Sequence, residues 1–119
     1  MTVTARLDLA IFDAADIDRV GSFYAELTGW DVVRKDSDRF GVRTPDGQEI
    51  EFQRAPDHVA PRWPGQEHPQ QVHLDLLVDD LDMGEVRAVE LGASRVNAGG
   101  ERFRVFTDPA GHPLCLISS

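Results

Sequence analysis

One cysteine is all that this chain of 119 residues contains, so no disulfide can close within it. Basic residues are also scarce. Twelve Lys and Arg stand against 21 Asp and Glu, a formal net charge of −9. No run of Lys or Arg breaks that balance, which argues against nucleic acid or an anionic membrane surface as partner. No apolar run approaches the roughly 20 residues of a membrane-spanning helix. No glycine-rich loop joins a strand to a helix, so the sequence offers no phosphate cradle. Ser22, within Gly21-Ser22-Phe23-Tyr24, lacks the strand–turn–helix setting of a nucleophile elbow. The opening MTVTARLDLAIF has neither the basic region nor the apolar stretch of a secretory signal, and a cytoplasmic protein is expected.

What is present is clear punctuation. Residues 6–12 alternate and then turn apolar, which predicts a strand. Ile17, Val20, Phe23, Tyr24 and Leu27 then mark one face of a helix, capped by Asp16 or Asp18 and stopped by Gly29. On that helix Phe23 is expected to pack on a sheet, with Tyr24 at the margin or on a partner. Residues 30–36, 39–45 and 48–54 read as three further strands, the last two separated by the Pro45-Asp46-Gly47 turn. Residues 54–71 hold four prolines and two histidines in a polar stretch and read as a connector. A second series follows. It has a strand over 72–80, a helix from about Asp80 to Gly92 with Asp82 and Glu85 as a capping box, and strands at 94–98, 102–109 and 112–118. Gly84 inside that helix is expected to weaken it.

The order βαβββ is thus written twice. Asp16 lies over Asp80, Gly29 over Gly92, and Gly47 over Gly111. In this register Glu51 falls on Cys115 and Leu9 on His73. A slip of one residue would turn each of these side chains to the other sheet face. The expectation is an α+β fold over a single domain, 1–119, made of module 1 (5–54), a connector (55–70) and module 2 (71–119). The modules would be related by a pseudo-twofold axis, with a curved mixed sheet enclosing a cleft.

The residues Asp16, Phe23-Tyr24, Leu27 and Gly29-Trp30 resemble the first helix of the vicinal oxygen chelate superfamily of glyoxalases, bleomycin-resistance proteins and dioxygenases. Val72-His73-Leu74-Asp75, Asp79 to Asp82 and Leu91-Gly92-Ala93 resemble the start of its second module, and Asp108 to Pro113 its last hairpin. Pro61-Arg62-Trp63-Pro64 is similar to the connector of a glyoxalase-like bacterial subgroup. The resemblance covers nearly the whole chain. It speaks for fold and leaves the reaction open, because one fold hosts many chemistries.

The resemblance also implies a site. Members that hold a metal place four inward side chains on it, and here those positions are Leu9, Glu51, His73 and Cys115. Leu9 is no ligand, and Cys115 replaces the usual carboxylate. His73, Glu51 and Cys115 are therefore the candidate metal ligands of an incomplete set. Whether a divalent metal is the cofactor is left open. His73 and Glu51 are also candidates for catalysis, since a hydrogen-bonded His–Glu pair can move a proton near neutrality. The alternative for His73 is a structural histidine, and for Cys115 a small apolar strand residue. Asp75 lies two residues beyond His73 and shares its face. Leu9, Asp75 and Trp63 are expected to line the cleft, Trp63 alternatively pinning the connector to the sheet. Two functions stay open: a glyoxalase-like lyase or isomerase acting on a small oxygenated metabolite, and a metal-free binder of the bleomycin-resistance type. A small-molecule ligand and a homodimer are the expected partners.

Overall fold

The computed structural model describes residues 6–62 and 69–118. Trp63 and His68 lie outside the described residues. The chain divides between Asp57 and His58 into two compact units, and each contains one sheet and one helix. The fold is α+β and built of two similar modules.

Module 1 carries β1 (Ala10–Ala14), α1 (Ile17–Thr28), β2 (Asp31–Lys35), β3 (Arg39–Arg43) and β4 (Glu49–Arg54). Its sheet has the order β1-β4-β3-β2, with β1 parallel to β4 and the other pairs antiparallel. The first strand starts at Ala10 rather than at the predicted Arg6. Ala10 pairs with Ile50, β4 begins only one residue earlier at Glu49, and before it the chain turns at Pro45–Gly47, so residues 6–8 have no ladder to join. Asp16 is the helix cap: it is extended, and its carboxylate accepts from the backbone N–H of Arg19 at 3.0 Å. Gly29 ends the helix at φ 77°, a left-handed value that a side chain resists. One face of α1 buries Ile17, Val20, Phe23 and Tyr24. Tyr24 is not marginal. Its ring stacks on Phe52 of β4 at 5.3 Å and meets Phe23 edge-on at 4.9 Å, because a large flat partner lies directly beneath it.

Module 2 repeats this plan with β5 (Leu74–Leu77), α2 (Leu81–Glu90), β6 (Ser94–Gly99), β7 (Phe103–Thr107) and β8 (Pro113–Ile117). The sheet order is β5-β8-β7-β6, again with one parallel pair, β5 with β8. Asp80, not Asp82, caps α2: its carboxylate accepts from Met83 N at 3.1 Å. Asp82 instead reaches Arg104 of β7 at 2.7 Å. The helix shows its sheet only small residues and a polar clamp. Ala88 is buried, and a Cβ on Gly84 would sit 3.2 Å from Leu116 Cδ1, so the glycine permits close approach. Arg104 also donates to Glu85 at 3.2 Å and to the carbonyl of Leu81 at 3.3 Å.

The repeat is in register. Ala10 and Leu74, Ile17 and Leu81, Arg39 and Phe103, and Glu49 and Pro113 begin equivalent elements, each pair 64 residues apart. Glu51 and Cys115 are therefore equivalent, as are Ile11 and Asp75, their respective partners across the parallel ladder. Among the described residues no helix is long and apolar enough to cross a membrane.

Candidate functional site

In each module α1 or α2 covers one sheet face. The other face carries the side chains in question. Residues paired across a ladder point the same way, so these faces can be read row by row.

On module 1 the helix-free face is a lattice of charges. Glu51 stands beside Ile11 on one side and Gly41 on the other, with Arg34 beyond. The next row holds Asp13, Gln53 and Arg39. Glu51 is 5% exposed. Arg39 donates to its Oε1 at 2.8 Å, and the Arg34 guanidinium lies 3.7 Å from the same atom. Gly41 makes room for this packing, since a Cβ there would meet Glu51 Cγ at 3.1 Å. A buried carboxylate needs such partners, because an uncompensated charge in the interior costs several kcal/mol, very roughly. Arg34 also donates to Asp36 at 2.8 Å. That bond, with the N–H groups of Asp38 and Arg39, holds the Asp36 carboxyl at a pKa of about 2. Leu9 lies just ahead of β1, half-buried, and has no donor atom.

On module 2 the same face is largely apolar. One row is Leu77, Ile117 and Phe103, and the neighbouring row is Asp75, Cys115 and Val105. Leu77 is 67% exposed and Phe103 41%, whereas Val105 is buried. His73 precedes β5 by one residue and returns its imidazole to Asp75, with Nε2 3.2 Å from Oδ1. His73, Asp75 and Cys115 bring one ligand atom each to within 4.8 Å of one another. The Cys115 thiol is pushed up from its ordinary value of 9.0, first by burial, then by the charge of Asp75 and a hydrogen bond to it. At neutral pH it is a thiol and a poor nucleophile.

The structure thus gathers His73, Asp75 and Cys115 on one strand pair and gives Glu51 to Arg39 and Arg34 in its own module. Two residues missed at the sequence level matter here. Arg39 was not singled out because its link to Glu51 spans 12 positions and depends on the β3–β4 register. Phe103 lies in the strand expected over 102–109 but was not singled out, and strand alternation places it on the open face with Val105.

The glyoxalase-like domain family matches residues 10–117, nearly the full chain. The chain belongs to this glyoxalase-like family. Solved structures agree on the fold. A glyoxalase/bleomycin resistance protein/dioxygenase family enzyme from Burkholderia phytofirmans PsJN superposes with a TM-score of 0.76 at 18% identity, covering 96% of this chain and 98% of its own. The fosfomycin resistance protein FosX from Mesorhizobium loti gives 0.71 at 14% identity, over 97% of this chain and 92% of that one. TnmS3, an antibiotic binding protein from Streptomyces sp. CB03234, gives 0.62 at 20% identity, over 99% and 98%. No curated protein matches the chain. The chain thus shares the fold of these structures.

The four-ligand metal arrangement that this superfamily implies does not fit module 1. Leu9 offers nothing to an ion, and the Glu51 carboxylate is already held by two guanidinium groups. Donating Glu51 to a cation would leave Arg39 without its acid and place the ion beside two positive charges.

Proposed function

We propose that this glyoxalase-like protein binds a small organic molecule without the superfamily's four-ligand metal, its site being the helix-free face of module 2. One observation carries this reading. An apolar row, exposed at Leu77 and Phe103 and half-buried at Ile117, adjoins a polar row headed by Asp75 and His73. Sites for small organic molecules combine apolar area with a few placed polar groups. The ligand that suits this face has an aromatic or aliphatic body for Phe103 and Leu77. Its head is a cationic or hydrogen-bond-donating group for the Asp75 carboxylate. The net charge of −9 favours a cationic guest at long range. A fold relative named as an antibiotic binding protein and another named for fosfomycin resistance support the class of ligand.

The test is calorimetry on chelator-treated protein against a panel of small aromatic and aliphatic amines with neutral analogues as controls. Binding should persist in chelator and should weaken about tenfold or more in Phe103→Ala, since burying an aromatic ring contributes ~1.5–3 kcal/mol. Affinity untouched by both Phe103→Ala and Asp75→Asn would sink the proposal.

A second reading keeps His73 as a proton carrier. It rests on the 3.2 Å approach of Asp75 to the His73 Nε2 atom, the arrangement that orients a general base. Glu51 is left out of that role because it is engaged by Arg39 and Arg34 within module 1. Turnover of any bound compound that survives chelator and disappears in His73→Gln would distinguish an enzyme from a binder.

A further inference from the structure

We propose that module 2 binds a small oxyanion, the carboxylate or phosphate group of a metabolite, in a pocket on the helix side of its sheet between Arg95 and Arg104. This pocket is separate from the open face of Leu77, Ile117 and Phe103. Arg104 alternates with Phe103 and Val105 along β7, so it points the other way, to the carbonyl of Leu81 and the carboxylates of Asp82 and Glu85 on α2. Neither site depends on the other.

A cavity of about 390 Å³ lies at the β6–β7 hairpin, lined by Arg95, Asn97, Ala98, Gly99, Gly100 and Arg104. That volume suits a small metabolite. The backbone makes the space. The β6–β7 register shifts between Arg95 and Gly99, so the residues between them bow out of the ladder. Gly99 holds the bend at φ 145°. A Cβ there would lie 2.7 Å from the Phe103 carbonyl oxygen and 3.7 Å from Arg95 Nη2, so a side chain would strain the hairpin and crowd the guanidinium.

Charge selects the ligand. Two guanidinium groups and no acid line the cavity, in a chain with 12 basic and 21 acidic residues. The two already clasp one carboxylate oxygen from below: Arg95 Nε and Arg104 Nη1 each lie 3.2 Å from Glu85 Oε1. Arg95 is fixed in place. Its Nη1 donates to the carbonyls of Val96, Ala98 and Val105, and its guanidinium lies 5.5 Å from the centre of the Phe106 ring. A guanidinium has five N–H donors. Among the described residues nothing engages Arg95 Nη2 or the side-chain amide of Asn97. These donors stay for a ligand, and guanidinium matches carboxylate and phosphate alike. The Arg95 and Arg104 side chains are 35% and 26% exposed, within reach of solvent but partly shielded from it.

The repeat supplies an internal control. Gly21 and Phe40 stand 64 residues before Glu85 and Arg104, and Val32 paired with Val42 stands where Arg95 pairs with Phe106. Module 1 therefore fills the same space with the Phe40 ring packed against Gly21. The duplicated scaffold does not generate the guanidinium pair by itself.

Isotope-labelled protein would be titrated with sodium phosphate and, separately, with sodium succinate, at constant pH and low, constant ionic strength, and followed by amide NMR. Saturable shifts over Asn97 to Gly100 are expected with at least one anion. Phosphate alone assigns a phosphoryl ligand, and succinate alone a carboxylate. Asn97→Asp sets a like charge beside the anion and should weaken binding about tenfold or more, whereas Asn97→Lys should tighten it. Glu85→Gln removes the acid that the two arginines share and should also tighten it. Asn97 is exposed, and a melting curve for each of its variants establishes that it folds, so this pair decides the matter even where Glu85→Gln does not fold. No saturable shift with either anion, shifts centred on Arg34 and Arg39 instead, or an affinity indifferent to the sign of the charge at position 97 would each overturn the proposal. Amine binding on the open face is read through Phe103→Ala, so loss of the anion pocket leaves that result untouched.

Discussion

Module 1 and module 2 share a backbone plan 64 residues out of phase, yet they solve the same two packing problems with opposite materials. Under α1 lies an aromatic stack: Phe12, Phe52 and Tyr24 in layers, with Phe23 at the edge. Under α2 the only buried helix residue is Ala88, and the helix is tied to β7 by Arg104 through Asp82 and Glu85. On the opposite faces the assignment is reversed. Module 1 sets Arg39, Gly41, Glu51 and Gln53 where module 2 sets Phe103, Val105, Cys115 and Ile117. One copy thus invests its apolar residues under the helix and seals its open face with ion pairs. The other leaves apolar side chains on the open face. Duplication fixes where side chains point, and the residue types decide which face is available for a ligand.

The contrast is broken most severely at the aromatic stack. Phe52 is 1% exposed and touches rings on both sides. Phe52→Ala should cost about 4 kcal/mol in denaturant unfolding, through lost burial and a cavity that the neighbouring rings cannot fill. Leu116, its equivalent in module 2, is also fully buried but carries less surface, so Leu116→Ala should cost less, about 3 kcal/mol. Equal losses at both sites would mean that the aromatic stack is no more tightly coupled than the aliphatic core.

One glycine on each helix sharpens the comparison at the next level. On α1 a Cβ at Gly21 would sit 2.2 Å from the Phe40 ring, while on α2 a Cβ at Gly84 would come no nearer than 3.2 Å to Leu116 Cδ1 and 3.4 Å to Val78 Cγ2. Phe40 is itself buried and cannot retreat. Gly21→Ala should therefore destabilise by about 3 kcal/mol through overpacking. Gly84→Ala should stay within about 1 kcal/mol of neutral, since the gain in helix propensity offsets contacts with the ends of the Leu116 and Val78 side chains. Thermal melts of the two variants decide the matter, and a Gly84 variant as unstable as the Gly21 one would refute it.

The ion-pair face gives the third test. Glu51→Gln keeps the volume of the side chain but leaves Arg39 without its acid. The expected loss is about 2 kcal/mol, below the roughly 3–5 kcal/mol for breaking a fully buried pair, because Arg39 retains contact with water. The effect should shrink in high salt. A salt-independent loss would show that shape, rather than charge, holds Glu51 in place.

Much of this contrast is legible in the sequence. Asp16 and Asp80 before apolar helical spacing, and Gly29, Gly47 and Gly111 at turns, are local signals whose physics acts within four residues. They set the repeat, and with it the equivalence of Glu51 to Cys115. The shared face of His73 and Asp75 follows from strand alternation alone. What escaped the sequence depends on which strands become neighbours. The meeting of Asp75 with Cys115 needs β5 parallel to β8, and the grip of Arg39 on Glu51 needs the β3–β4 diagonal. The sequence suggested a His73–Glu51 hydrogen bond because both groups wanted a partner. Within module 1 Glu51 pairs with Arg39, and within module 2 His73 approaches Asp75. Trp63, expected at the cleft, lies outside the described residues.

The smallest effect concerns Cys115 and separates it from its counterpart in charge state. Burial and the Asp75 carboxylate both oppose a thiolate, so the folded chain holds this proton more tightly than the unfolded one. The sign follows directly. Well below the ordinary value of 9.0 both states are protonated and the group's contribution to stability is fully present. As pH rises past 9.0 the unfolded chain loses its proton first, and that contribution disappears as pH climbs through the folded value. Reactivity should track the same shift. At neutral pH, iodoacetamide should label native Cys115 more slowly than the urea-unfolded chain. Asp75→Asn should then accelerate labelling, because it removes the neighbouring charge while leaving the strand pairing intact. Faster labelling in the native protein, or no response to Asp75→Asn, would mean that Cys115 does not feel Asp75. The case for one polar cluster on module 2 would then rest on His73 and Asp75 alone.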